Sequence, residues 1–233
     1  MNSQNKIARL AGLLYLLLVL TGIFTLVYIP GKFIDWDSAM NTLEKVQGNE
    51  VLFKWGIVSE ALMLLSFIFL LLVLYQLLHK VSKPYAVVMV ILGMVSIPVS
   101  FANLAPKFSI LSLAGGENYL ADLSLAQKAS WVLFHFEKYY AGINIAQIFW
   151  GLWLFPFGYL VYKSGFLPKF LGFFLMLGCF GYLTAFVGGL FFEEYHSTTF
   201  ADIVGIPDSI GEIGICLWLL VMGTNTFSKK GPR

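Results

Sequence analysis

Two long apolar stretches set back to back limit what this chain can become. From Tyr139 to Gly189 it runs YYAGINIAQIFWGLWLFPFGYLVYKSGFLPKFLGFFLMLGCFGYLTAFVGG, and its only charges, Lys163 and Lys169, both fall in the turn YKSGFLPK. In hydrocarbon every backbone N–H and C=O must be satisfied internally, and a helix does this within one segment. The stretch therefore reads as two membrane-spanning helices joined by a tight basic turn. On the first of them Glu137, Tyr140, Asn144, Gln147, Gly151, Leu154 and Gly158 recur at 3-4 spacing, which keeps them on one face. Ile, Phe, Trp and Leu cover the other faces. A polar and small-residue seam on an otherwise apolar helix is turned toward neighbouring helices in a bilayer.

About 20 apolar residues span a bilayer core as a helix. Six stretches qualify: 10–27, 51–78, 86–104, 139–162, 170–192 and 206–226, the last interrupted near its start by Asp208 and Glu212. The run after Lys6 and Arg9 is longer than a signal-peptide core and lacks a small-residue cleavage site, so it is expected to be a first span. Only 12% of the residues are charged and 58% are hydrophobic, too little polar surface for a water-soluble domain. The expected fold is all-α, a polytopic six-transmembrane-helix bundle, and residues 1–233 read as one integral membrane domain. With a net charge of +2 the chain has no basic face for nucleic acid. Cys179 and Cys216 lie inside apolar runs and read as small core residues.

Charge asymmetry gives an orientation. Six spans put both ends on one side with the turns at 79–85 and 163–169. That side holds Lys6, Arg9, Lys80, Lys83, Lys163, Lys169, Lys229, Lys230 and Arg233, and no acidic residue. All 13 acidic residues lie in the other three loops or the adjoining membrane half. The positive-inside rule then predicts both termini in the cytoplasm and a multi-pass protein of the cell membrane. In the first outer loop Asp37 or Ser38 is placed to cap a short helix with Met40, Leu43 and Val46 on its apolar edge. In the second, Ser124 and Gln127 match a capping box before LAQKASWVLFHF, a segment expected at the interface or as an outward extension of the fourth span.

Other spans carry similar seams: Gly12, Tyr15, Val19 and Gly22; Gly56, Ser59, Met63 and Ser66 beside Glu60; Gly93, Ser96, Ser100 and Asn103 around Pro98; Gly178, Gly181, Ala185 and Gly188; Ser209, Glu212, Cys216, Leu219 and Gly223. The small residues read first as packing seams, and as faces for partner helices. The ionisable ones ask for more, because a carboxylate at the bilayer centre costs roughly 2.5–3.5 kcal/mol on insertion scales. Glu60, Ser100, Asn103, Tyr140, Asn144, Gln147 and Glu212 all belong to the outer half, and together they predict an outward-facing polar cavity for a small or lipid-like ligand. The plainer reading is that each carboxylate pairs locally, although Lys54 lies six residues from Glu60 and so faces away from it.

Two further readings compete. Glu60 and Glu212 could form an intramembrane acid/base pair of a hydrolase or isomerase, if their helices meet. Alternatively, the seams serve a scaffold or complex subunit with no ligand. No nucleotide-binding or nucleophile motif is present, and no cofactor is expected. His135, Glu137 and His196 are weak candidates for an external metal site, without a metal-binding motif around them.

The segments ARLAGLLYLLLVLTGIF, IFWGLWLFPFGYLVYKSGFLPKFLGFFLMLGCFGYL and GEIGICLWLLVMG resemble the family of bacterial multi-pass membrane proteins known as domain of unknown function 4386, with GYLVYKSGFLPKFLG the most specific part. The resemblance implies a six-span bacterial membrane protein and no assigned activity. It also implies a histidine after the Gly-Leu pair, where this chain has Trp153, which argues against histidine chemistry at that position.

Overall fold

The computed structural model describes residues 3–192 and 194–224, the His196 side chain excepted. The described residues contain no strand, and six helices are long and apolar enough to cross a membrane: Ser3–Phe33, Glu50–Leu78, Lys83–Gly115, Leu125–Lys163, Lys169–Phe191 and Thr199–Val221. The fold class is all-α. Lys229, Lys230, Arg233, Glu193 and the last two residues of the expected sixth span lie outside the described residues.

The helices are α1 (Ser3–Gly22), α2 (Ile29–Phe33), α3 (Ala39–Gly48), α4 (Glu50–Leu78), α5 (Lys83–Ala102), α6 (Ala105–Gly115), α7 (Leu125–Lys163), α8 (Lys169–Phe191) and α9 (Thr199–Val221). A π-helical segment, Ile23–Tyr28, links α1 to α2. Pro30 explains the wide turn: it has no N–H to give Leu26, and its ring crowds that carbonyl. The third span breaks at Asn103–Leu104, just before Pro106 at the start of α6. The fourth is a single helix of 39 residues, about 58 Å at 1.5 Å per residue, so LAQKASWVLFHF extends it well past a ~30 Å hydrocarbon core. The first, third, fourth and sixth spans thus begin or end several residues beyond the limits drawn from hydropathy alone.

An open apolar stripe runs along α4, where Val58, Leu62, Leu65, Phe69 and Leu72 are all exposed at 4-3-4-3 spacing. A continuous apolar stripe of this kind is tolerated in a bilayer and not in water.

The chain divides into two compact units whose boundaries fall within α1, α4, α5 and α7. Unit 1 comprises residues 1–17, 66–97 and 144–233. In it α8 and α9 pack backbone to backbone: a Cβ on Gly178 would stand 2.8 Å from Asp208 Cα, and one on Gly211 2.9 Å from Leu175 N. The seams of the fifth and sixth spans are thus filled from within the chain. The N-terminal part of α1 joins them, with Gly12 against the backbone of Leu219 and Leu220. The turn YKSGFLPK closes at Gly165, whose φ of 72° favours glycine, while Ser164 Oγ accepts from Leu167 N at 3.1 Å. Trp153 is buried, stacked on Phe157 at 5.1 Å and edge-on to Phe67.

Unit 2 comprises residues 18–65 and 98–143. Its apolar core gathers Ile29 and Phe33 of α2, Leu43 and Val46 of α3, Phe53 and Ile57 of α4, Ile110 and Leu113 of α6, and Val132 and Phe136 of α7. The short helix of the first loop is α3, capped by Ser38, whose hydroxyl accepts from Asn41 N at 3.2 Å. The capping box also forms: Ser124 N donates to Gln127 Oε1 at 2.8 Å and Gln127 N to Ser124 Oγ at 3.3 Å.

Candidate functional site

The helix irregularities of unit 2 position one polar cluster. Glu60 on α4 is 1% exposed, and it forms a salt bridge with Lys107 on α6, itself 2% exposed. The Tyr139 hydroxyl of α7 donates to the carboxylate, 3.0 Å from each oxygen. Thr25 in the π-helical segment lies 3.2 Å from Glu60 Oε2 and 3.1 Å from Gly56 O. Four chain segments therefore converge on one carboxylate. The Lys107 ammonium also sits 4.1 Å from the centre of the Tyr139 ring, a cation–π placement. Charge, hydrogen bonds and ring together offset the desolvation of two ions, which neither would tolerate alone.

Each irregularity has a role in this arrangement. The π-turn holds Thr25 at Glu60 (π-turns are frequent at functional sites). The break after α5 lets Asn103 turn its amide to Tyr139 O, at 2.9 Å. Gly142 opens the space that amide fills. Ser100, 2% exposed and one turn before Asn103, leaves its hydroxyl oxygen buried with no hydrogen-bond partner among the described residues. Tyr140 points elsewhere, its ring 5.7 Å from Trp36.

The remaining expected residues belong to unit 1. Asn144 is half-buried, and Gln147 Oε1 is buried without a hydrogen-bond partner among the described residues. Glu212 on α9 accepts from Tyr15 OH at 2.9 Å and from Tyr182 OH at 3.0 Å. Glu60 and Glu212 thus each have partners inside their own unit. Lys54 pairs with Glu50 at 2.5 Å, one turn away.

Sequence reasoning missed Lys107, Tyr139, Thr25 and Tyr182, and placed Tyr15 only on a packing seam. Lys107 had a readable signal: it is the single charge between Lys83 and Glu117, in NLAPKFSILSLAG, and a lone cation in an apolar stretch asks for an anion. Pro106 disguised it as loop. Among the described residues no three His, Cys, Asp or Glu side chains cluster as metal ligands. Glu137 is exposed, whereas His135 is half-buried and its Nδ1 has no hydrogen-bond partner among the described residues. Cys179 and Cys216 are buried free thiols.

A profile of the family described as domain of unknown function DUF4386 matches residues 10–223, through both compact units. The chain belongs to that family. The DUF4386 match thus includes every residue of the Glu60 and Glu212 clusters. An uncharacterized protein of Archaeoglobus fulgidus is 34% identical over 85 residues, which are 36% of this chain and 48% of that protein. The chain spans about half the length of this curated relative, an archaeal one. No solved structure matches.

Proposed function

We propose that this DUF4386 protein binds, and moves, a small or lipid-like amphipathic ligand, and that the Glu60–Lys107–Tyr139 cluster holds its polar group. The observation that carries this reading is a salt bridge almost wholly removed from solvent where a π-turn and a helix break meet. A buried pair is weak as a stabilising device, since well-packed apolar residues of similar volume do as well or better. A zwitterionic cluster does offer something apolar packing lacks: an acceptor for a cationic group and a donor for an anionic one. The unpartnered Ser100 hydroxyl adds a further hydrogen-bonding group on the α5 side. Broken helices beside charged groups are also how transporters build substrate sites within the membrane.

The charge distribution supports an orientation with both ends in the cytoplasm and the cluster in the outer half of the membrane. The host membrane under this reading is the plasma membrane.

Native mass spectrometry of the protein extracted in mild detergent tests the reading. Wild type should carry a co-purifying small molecule or lipid that is lost from Glu60→Gln and from Lys107→Gln. If the folded variants retain the same adducts as wild type, or if wild type carries none and no ligand screened raises its melting temperature, the cluster is structural and the reading fails.

A further inference from the structure

We infer that Glu212 is an exchangeable proton-binding site, held as the neutral acid between the hydroxyls of Tyr15 and Tyr182. The inference stands independently of ligand binding at Glu60 and rests on a contrast between the two carboxylates. Glu60 is matched by the ammonium of Lys107. Glu212 has, among the described residues, no ion pair with any Lys, Arg or His, and its two oxygens meet only phenol hydroxyls, 2.9 Å from Tyr15 on α1 and 3.0 Å from Tyr182 on α8.

The groups around it add no positive charge. Asp208 lies one turn earlier on α9, its carboxylate accepting from Ser209 N at 2.7 Å. Cys216 lies one turn later, its thiol directed at Gly12 O at 3.8 Å. A carboxylate without a counter-cation in apolar surroundings takes up a proton, and a second carboxylate on the same helical face pushes the same way. Phenols suit both states of such a site. Each O–H donates to the carboxylate when the proton is gone, and one can turn to accept when the acid O–H is formed. Loading and unloading therefore need only a hydroxyl rotation. Glu212 and Asp208 are both partly exposed on that face of α9.

Carbodiimide labelling tests this directly, because dicyclohexylcarbodiimide reacts with protonated carboxyls in apolar surroundings. The full-length purified protein is treated across a pH series, with and without sodium, and adducts are placed by peptide mass spectrometry. The expected result is an adduct on Glu212 that falls at least several-fold toward alkaline pH, is indifferent to sodium, and is accompanied by little or none on Glu60. Glu212→Gln should remove it, and Tyr182→Phe should shift its pH dependence. Because the map is made on wild type, a variant that fails to fold leaves the test intact. Protection by sodium would assign the site to a metal cation instead. Labelling that ignores pH, or that reaches Glu60 while sparing Glu212, overturns the inference.

Discussion

The Lys107 ammonium lies over the face of the Tyr139 ring, 4.1 Å from its centre, while both residues bond the same Glu60 carboxylate. Three groups thus share one desolvated charge. Removing any one of them leaves the others miscompensated, and the size of the loss depends on which is removed.

Lys107→Met removes the only cation bonded to Glu60 among the described residues and strands a buried carboxylate. Breaking one partner of a buried pair costs about 3–5 kcal/mol, whereas replacing both with apolar residues of similar volume is often neutral. Thermal unfolding in detergent should therefore show a large drop for Lys107→Met and a clearly smaller one for Glu60→Leu with Lys107→Met. Equal drops would mean the pair contributes nothing through its charges.

Tyr139→Phe keeps the ring beneath Lys107 and deletes one hydroxyl. A lost bond to a charged acceptor is worth about 1.5–3 kcal/mol, so the variant should fold and melt lower than wild type. Thr25→Val is expected to do less, since that hydroxyl divides its donation between Glu60 and Gly56 O. Melting curves that rank the two the other way round would contradict the geometry.

Close approach of α8 and α9 depends on glycine. Adding side-chain atoms at Gly178 or Gly211 drives them into the facing backbone, which has no rotamer to yield. Overpacking costs typically about 1–3 kcal/mol, and Gly178→Val and Gly211→Val should each lower the melting temperature. By contrast, Gly48→Ala meets nothing within 4 Å and serves as the neutral control.

Orientation is open to a direct check. Under the cytoplasmic placement of both ends, a periplasm-active phosphatase fused after Thr224 should be silent, and one fused within the loop at residue 120 should be active. The reverse pattern would invert the protein in the membrane.

The spans were legible because twenty-residue apolar runs are long-range signals that local detail cannot hide. Their seams were legible for a related reason: 3-4 spacing is a property of helix geometry, and the Gly12–Tyr15, Gly178–Gly181 and Glu212–Leu219 stripes do pack within unit 1. Lys107 was not legible in the same way. Its burial depends on α6 resuming after the break at Asn103–Leu104, a backbone event that Pro106 foretells only as an interruption. Thr25 was hidden by the π-turn, since every helical-wheel argument assumes an unbroken 3.6-residue period. Partners on separate helices, such as Tyr139 for Glu60 and Tyr182 for Glu212, are tertiary facts that no periodicity records.

The wide turn at Ile23–Tyr28 has a bearing on how this span tolerates change in length. It houses one residue more than a regular turn, so Thr25 and the pair Ile29 and Phe33 are phased by different helical registers. Deleting a single amino acid there would leave a span that still reaches across the bilayer. It would also swing one group by about 100° relative to the other, sending either the hydroxyl away from its carboxylate or two large side chains out of their apolar nest.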